Sequence, residues 1–307
     1  MVFHLLQALA VLFVVLVVGH AAVDPEIYFK SVLPNTPMPK AIKDSLSNDI
    51  SINTNNKEST SYVLSDPNQV FPNYKYNCEA TPEQIMDKKT SALFFLENDL
   101  HAGKTINLHI SKDTTATPPF VPRDVAESMP IASNKLQDIY KEFKVKPDSI
   151  EAKLVKETVN ECEMASNKDA DQYCAASLES MVDFVASKLG KRVKAMETRV
   201  VGNESRSLQG YMVEEVKKLN GDDGVVCHQE YYGYAVYFCH KTPKISAYMV
   251  SLVGENNVRA KATFLCHEDT SSWSPKHLAF IVLNVKPGTT SAVCHFLLEN
   301  VVAWVPY

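Results

Sequence analysis

Four cysteines that are each followed directly by histidine place the strongest constraint on how this chain folds. With nine histidines in 307 residues, the seven cysteines would give only about 0.2 such pairs by chance. Thiols form disulfides and imidazoles bind metal ions, so each pair can serve two kinds of cross-link. The pairs are Cys227-His228, Cys239-His240, Cys266-His267 and Cys294-His295.

Adjacent residues on a β-strand point to opposite faces of the sheet. If each cysteine faces inward to a disulfide, each histidine faces the other way, and four imidazoles can gather on one surface. The same divergence disfavours a Cys-His nucleophilic dyad within one pair. A dyad between different pairs is geometrically open, but a disulfide would consume its thiol.

The first 22 residues are predicted to be a cleavable signal peptide. The apolar stretch Leu5–Val18 is shorter than the roughly 20 residues that cross a bilayer, and small residues follow it at 19–22. The start of the chain lacks Lys and Arg, and the alternative is a buried first helix. No later segment is long and apolar enough to span a membrane. We therefore expect a secreted protein that folds in an oxidising compartment.

Seven cysteines remain after residue 22, so at least one has no partner within the chain. Cys162 and Cys174 flank a short polar loop between two predicted helices and are expected to bridge it. The four motif cysteines are then expected to pair among themselves, with three connectivities open, and Cys78 is the odd one. Asn203 begins an Asn-Glu-Ser sequon and is the predicted glycosylation site.

The histidines of the four pairs are the candidate metal ligands. Closely spaced C-x₂-C pairs, which zinc fingers use, are absent from the sequence. With the sulfurs oxidised, imidazoles are the remaining ligands, and copper binds such ligands most tightly among the divalent ions. The hypothesis is a copper site formed by His228, His240, His267 and His295. The alternative is that they only satisfy hydrogen bonds beside the disulfides.

Three histidines after residue 22 lie outside the Cys-His pairs. His101 and His109 are candidate extra ligands or ordinary edge and turn residues, and His277 is expected to be solvated because its neighbours are polar. The net charge of −5 argues against nucleic-acid binding. No G-x-S-x-G elbow, phosphate loop or H-E-x-x-H motif occurs, and the scattered carboxylates do not define a glycosidase pair.

The predicted fold class is α+β, with a helical first half of the domain and a mainly antiparallel, disulfide-stapled β region after it. The predicted boundaries are a signal peptide at 1–22, an N-terminal segment and flexible linker at 23–90, and the domain at 91–307. Asp148 and Glu151 resemble a capping box, and a second helix is predicted from Ala175 to Leu189, stopped by Gly190. Predicted strands include Gly210–Leu219, Tyr234–His240, Ile245–Val253, Val258–Cys266, Leu278–Val285 and Ala292–Leu297.

The spacing of the Cys-His pairs, with 10, 25 and 26 residues between them, resembles the plant BURP-domain family. Residues 94–104, the proline-punctuated segment 33–39 and the ending at 303–306 resemble further blocks of that family. The resemblance implies a secreted plant protein of the cell wall, the apoplast or a vacuole, with a role in development or stress response. The short linker resembles seed and microspore members, whereas Phe120-Val121-Pro122-Arg123 is closer to the dehydration-responsive type.

Some BURP proteins are copper-dependent autocatalytic cyclases that cross-link a Trp or Tyr side chain within a core peptide of their own chain. The stretch at 114–120, where such a core is expected, holds no Gln, Tyr or Trp. Gln69, Tyr74 and Tyr76 form a candidate core peptide in the linker, or alternatively an aromatic anchor at the domain edge. The leading hypothesis is a non-catalytic extracellular protein that contacts cell-wall components. The alternative is a peptide cyclase.

Overall fold

The computed structural model describes residues 23–47, 79–88, 92–110, 118–168, 171–201, 208–219, 222–255 and 258–307. Every strand pairing in these ranges is antiparallel. Together with the helices this confirms the predicted α+β class. No helix among these residues combines the length and apolarity needed to cross a membrane.

Within the described residues, twelve strands form two sheets. The first runs β1-β11-β10-β9-β6-β2, with β5 pairing on β10, and the second runs β3-β8-β7-β12-β4. The strands are β1 Phe94–Leu96, β2 Thr105–Leu108, β3 Gln172–Ala175, β4 Val193–Met196, β5 Arg199–Val201, β6 Gln209–Leu219, β7 Asp223–Gln229, β8 Tyr237–Pro243, β9 Ile245–Val253, β10 Arg259–His267, β11 Val293–Phe296 and β12 Val301–Pro306.

Eight α-helices lie within the described residues. The longest, α6, carries Cys162, and α7 packs on the second sheet. Their bounds are α1 Pro25–Val32, α2 Lys40–Ser47, α3 Pro82–Met86, α4 Arg123–Ser128, α5 Leu136–Glu142, α6 Ile150–Lys168, α7 Leu178–Leu189 and α8 Leu278–Leu283. Gly190 ends α7 with a positive φ of 76°, as expected for a C-terminal stop.

The two sheets pack against each other through an apolar cluster to which both contribute. Val226 and Ala303 come from the second sheet, and Ile245 and Leu265 from the first. The other face of the second sheet is covered by helices, where Met181 of α7 is buried in one cluster with Trp304 of β12. The two faces of the second sheet therefore contact different cores, which fixes where alternate side chains of its strands point.

The N-terminal segment is part of the compact body. The sequence had predicted that the compact body begins near Ser91. Phe29, Leu33 and Ile42 of residues 23–47 are buried in the cluster that contains Trp304. The carboxylate of Glu197 accepts hydrogen bonds from the backbone N–H groups that begin α2, at Lys40 and Ala41, each at 3.0 Å. Prolines 34, 37 and 39 lie in and beside the turn between α1 and α2, so helices form on either side of them.

Two local predictions are wrong. Residues 278–285 were predicted as a strand, but Leu278–Leu283 is a helix. Short apolar runs do not distinguish the two states by pattern, and here His277 caps the helix and Asn284 ends it in the left-handed conformation. The cap of α6 is Ser149, whose hydroxyl accepts the N–H of Ala152 at 3.1 Å, rather than Asp148.

Candidate metal centre

Two disulfides staple directly opposed cysteines on neighbouring strands. Cys227 of β7 faces Cys239 of β8 in the register, and Cys266 of β10 faces Cys294 of β11. Their Cα atoms are 4.0 and 3.9 Å apart. The structure thus selects one of the three connectivities that the sequence left open, with one bridge in each sheet.

The cysteines and histidines of each dipeptide lie on opposite faces, as the strand geometry requires. Cys227 and Cys239 are buried in the helix-covered cluster with Trp304. His228 follows Val226 by two residues, and His267 follows Leu265 by two, so both imidazoles share the face that forms the core between the sheets. The four histidines therefore belong to the inter-sheet layer.

His228 and His240 form the first pair. Their Nε2 atoms are 3.2 Å apart, while the ring centroids are 5.3 Å apart and the ring planes differ by 7°. Because the nitrogens are much closer than the ring centres, the rings meet edge to edge through these atoms and do not stack face to face. The Nδ1 of His240 is 2.9 Å from the Thr242 hydroxyl, and His228 and His240 are both partly exposed residues.

His267 and His295 form the second pair, with Nε2 atoms 3.3 Å apart and rings 16° from parallel. Each is only 6% exposed. The Trp273 ring lies edge-on against His267 at a centroid distance of 4.8 Å, and Phe94 lies 6.3 Å from His295. The second pair thus has the same nitrogen geometry as the first but is enclosed by aromatic rings.

The two pairs are close enough to influence each other electrostatically. Burial lowers the pKa of His228 well below its ordinary value, and charge on His240 and on His295 of the other sheet lowers it further. Burial likewise lowers the pKa of His267 well below its ordinary value, with a contribution from His240. Burial lowers the pKa values of His240 and His295 to about 4. All four imidazoles are therefore neutral near pH 7, the form that binds metal ions.

Each Nε2–Nε2 separation is that of an N–H···N hydrogen bond between the two imidazoles, and it also fits two ligands of one ion. Two nitrogens that are each ~2.0 Å from an ion at a near-tetrahedral angle stand ~3.3 Å apart. The observed distances are 3.2 and 3.3 Å. An ion midway between the nitrogens would be too close to both, so it would have to lie beside the line that joins them. Neutral imidazole is a ligand that copper, zinc and nickel accept.

The four histidines do not converge into one closed cluster. Within the described ranges, no group of three or more His, Cys, Asp or Glu side chains has an arrangement that could hold a metal ion. The geometry presents two separate two-nitrogen pairs. A copper ion bound at one pair would complete its coordination with other ligands or with the other histidine pair after a shift. Metal binding therefore stays a hypothesis.

His277 is a buried residue that sequence reasoning wrongly expected to be solvated. It is 0% exposed, its Nδ1 accepts the N–H of Ala279 at 3.2 Å, and its ring lies 4.5 Å from that of Trp273. The polar neighbours face solvent while the histidine caps α8 from inside. A histidine just before an apolar run was the available signal. His101 is exposed in a turn, and His109 is buried just after β2.

Several predicted residues lie outside the described ranges. These are the predicted glycosylation residue Asn203, the predicted odd cysteine Cys78 and the candidate core residues Gln69, Tyr74 and Tyr76. The predicted bridge between Cys162 and Cys174 is present in the structure and joins α6 to the edge strand β3.

The comparisons with known proteins agree with the Cys-His framework. The model of the BURP domain matches residues 93–306. The chain is 45% identical to the BURP domain protein RD22 of Arabidopsis thaliana, over 76% of this chain and 60% of that protein. It is 41% identical to the BURP domain-containing protein 5 of rice (Oryza sativa subsp. japonica), over 93% and 88%.

A third relative has a name that refers to a partner enzyme. The polygalacturonase non-catalytic subunit AroGP2 of Solanum lycopersicum is 35% identical over 69% of this chain and 34% of its own length. This chain thus matches about a third of that protein, and 60% of RD22.

Proposed function

Because this chain belongs to the BURP-domain family of plant proteins, we propose that it is a secreted, disulfide-stabilised extracellular or vacuolar protein that binds copper through His228, His240, His267 and His295. The observation that carries the proposal is the pair of Nε2–Nε2 contacts, each beside a cross-strand disulfide. Three disulfides suit an oxidising compartment.

The chemistry of the pairs supports copper as the ion. Imidazole nitrogens suit Cu, Zn and Ni, and the Irving–Williams order places Cu²⁺ highest among them. The disulfide in each sheet fixes the strands that carry the histidines, so the ligands are preorganised at the distance they need. A bound copper ion would supply redox chemistry, and the four histidines would hold it in place.

A non-catalytic role is favoured for the protein as a whole. The tomato relative is named as a non-catalytic subunit of a polygalacturonase, which suggests association with cell-wall components. Fold and family alone do not establish an activity. Within the described residues the second pair, His267 and His295, is buried together with His277, and a bound ion there would also stabilise the folded protein.

The test is titration of the chelator-treated, disulfide-intact protein with Cu(II), followed by calorimetry and electron paramagnetic resonance. We expect saturable binding with nitrogen hyperfine couplings from imidazoles. Replacing all four histidines by alanine should remove it, whereas His101→Gln, in an exposed turn, should leave it intact. Copper binding that survives the fourfold replacement would refute the proposal.

The peptide-cyclase alternative has one supporting observation. Ala80 donates its N–H to the carbonyl of Lys276 at 2.9 Å, and it packs in the cluster that holds Trp273. The chain thus docks beside the His267–His295 pair only a few residues after Tyr76 in sequence. A candidate core peptide attached at this point would be tethered next to the imidazoles.

Peptide-level mass spectrometry before and after Cu(II) is added under air tests the alternative. A cross-link between two side chains removes two hydrogen atoms, with dioxygen as the electron acceptor. A copper-dependent loss of two hydrogens within residues 69–76 would establish a cyclase. The double variant Tyr74→Phe, Tyr76→Phe should abolish this loss, and the control Tyr307→Phe should retain it. Copper binding without this mass change would leave the non-catalytic role.

A further inference from the structure

A groove with one polar end and one aromatic end lies on the outer side of α7, away from the inter-sheet histidines. Its volume is about 340 Å³, at the lower end of the ~300–1,000 Å³ typical of small-ligand sites. One face of α7 forms the floor, and α4 and the edge strand β3 form the sides. The lining residues are Arg123, Glu127, Tyr173, Ser180, Asp183, Phe184 and Ser187.

The aromatic end consists of two parallel rings. Tyr173 and Phe184 lie with centroids 5.5 Å apart and planes 17° apart. Tyr173 is 41% exposed, whereas Phe184 is buried beneath it. An exposed aromatic ring held flat against a second ring offers a rigid apolar surface to a ligand.

The chain on either side of Tyr173 is held in place by cross-links and polar contacts. Cys174, the next residue, is bridged to Cys162 of α6, and Ser177 caps the start of α7. Lys188 places its ammonium 5.6 Å from the Phe184 ring centre and pairs with Asp171 at 3.0 Å. The backbone of the aromatic end is therefore fixed before a ligand arrives, which favours binding by a preformed site.

The opposite end carries fixed polar groups. Asp183 accepts hydrogen bonds from the Tyr28 hydroxyl at 2.5 Å and from the Arg123 guanidinium at 2.6 Å. The guanidinium also lies 5.3 Å from the centre of the Tyr28 ring. Arg123 and Asp183 nevertheless remain partly exposed, with 37% and 44% of their side chains accessible. They present donors and acceptors whose directions are already set.

The charges of the groove narrow the class of ligand. The positive charge of Arg123 is matched by Asp183, and the carboxylate of Glu127 adds a negative charge at the same side. An acidic ligand such as a uronate chain would meet a net negative rim. A purely apolar ligand would displace water from the exposed parts of Arg123, Asp183 and Glu127 without replacing its hydrogen bonds, which is costly. A neutral polyhydroxylated ring, with an apolar face and peripheral hydroxyls, satisfies both ends.

We propose that this groove binds neutral pyranose saccharides, with the sugar ring on Tyr173 and its hydroxyls at Arg123, Asp183 and Glu127. The site uses none of the inter-sheet histidines, so it stands or falls independently of copper binding. It would let the protein attach to neutral wall polysaccharide while the histidine pairs serve another purpose.

Binding of cellohexaose, a xyloglucan heptasaccharide and β-1,4-galactohexaose to the full protein tests this proposal, with hexagalacturonate as the acidic probe. Isothermal calorimetry gives the affinity, and saturation-transfer NMR identifies the sugar protons that contact the ring. We expect at least one neutral probe to bind, and hexagalacturonate to bind at least tenfold more weakly. Tyr173→Ala should weaken the neutral probe at least tenfold, and Tyr173→Phe should retain it.

The matched control is Tyr307→Ala, because Tyr307 is 40% exposed but lies against Arg192 and Lys194 instead. It should bind like the unchanged protein. Tyr173→Leu keeps an apolar contact with Phe184 and should still lose binding, which separates loss of the ring from loss of folding. Failure of all three neutral probes, equal binding of hexagalacturonate, or binding unaffected by Tyr173→Leu would overturn the proposal.

Discussion

His267 and His295 bring their Nε2 atoms within 3.3 Å of each other although neither residue is opposite the other in the register. His267 faces Val293, and His295 faces Leu265. The cause is the disulfide one residue earlier, because two directly opposed cysteines on antiparallel strands make the residues that follow them diagonal neighbours on the other face. The same relationship produces the His228–His240 contact.

The two histidine pairs should differ in how readily they take up copper. His228 and His240 are partly exposed, whereas His267 and His295 lie beneath Trp273 and Phe94. We expect stopped-flow mixing with Cu(II) to show a fast and a slow phase of copper binding. The fast phase should be lost in the double variant His228→Ala, His240→Ala. The slow phase should be lost in His267→Ala with His295→Ala. A single phase removed equally by both double variants would contradict this assignment and indicate one shared site.

The metal-free protein should lose stability as the pH falls from 6.5 toward 4. The folded pKa values of His240, His277 and His295 are about 4, below the ~6.5 of an unfolded chain. The unfolded state therefore binds more protons in this window, so the free energy of unfolding is highest above pH 6.5 and declines on acidification. Each such histidine contributes on the order of 3 kcal/mol across the window.

Urea denaturation of the chelator-treated protein at pH 7.0, 5.5 and 4.5 measures this dependence. The midpoint should fall steadily, and His101→Gln, which changes an exposed residue, should show the same fall. A midpoint that is constant between pH 6.5 and 4.5 would mean that the buried histidines are not neutral in the folded state.

Removal of the Cys227–Cys239 bridge should weaken copper binding at the adjacent pair. The Cys162–Cys174 bridge is a matched control, since both bridges span 12 residues of sequence. Equal loops give similar losses of unfolding free energy, about 3 kcal/mol, when each bridge is replaced by two serines. We expect only the first replacement to reduce copper affinity measured by calorimetry. Equal losses of affinity would show a general effect of destabilisation.

Glu197 should anchor the N-terminal helices. It is 7% exposed and accepts the N–H groups of Lys40 and Ala41, so Glu197→Ala leaves two donors at the start of α2 without a partner. The expected cost is about 2 kcal/mol, measured by urea denaturation. Asp44→Ala is the control, because the exposed Lys40–Asp44 pair should contribute less than ~1 kcal/mol. Equal effects would show that Glu197 is not an anchor.

The Cys-His framework could be predicted because it depends on local rules. Adjacent strand residues face opposite ways, so the separation of sulfurs from imidazoles follows from the dipeptides alone. Helix α7 and its end at Gly190 were predictable for the same reason, because the apolar residues of the helix recur at helical spacing. Which of the four motif cysteines pair was not predictable, because the pairing depends on the registers of β7 with β8 and of β10 with β11, which the dipeptides do not fix.

The errors come from tertiary context. His277 stands among polar residues in sequence, but Trp273 and Phe280 enclose it in the folded chain. Leu278–Leu283 carries no pattern that separates helix from strand, and its cap decides the outcome. The groove beside Tyr173 could not be predicted either, because its walls come from α4, β3 and α7, which only the fold brings together.

The burial of Phe29, Leu33 and Ile42 around Trp304 joins the beginning of the described chain to its end. Phe29 and Trp304 have ring centroids 6.2 Å apart, and the Thr36 hydroxyl donates to the carbonyl of Val193 at 2.6 Å. A protease cut anywhere between Ser47 and Glu79 would therefore not release the N-terminal piece. The nicked protein would persist as a two-chain complex that runs as one particle in native buffer and as two fragments after denaturation.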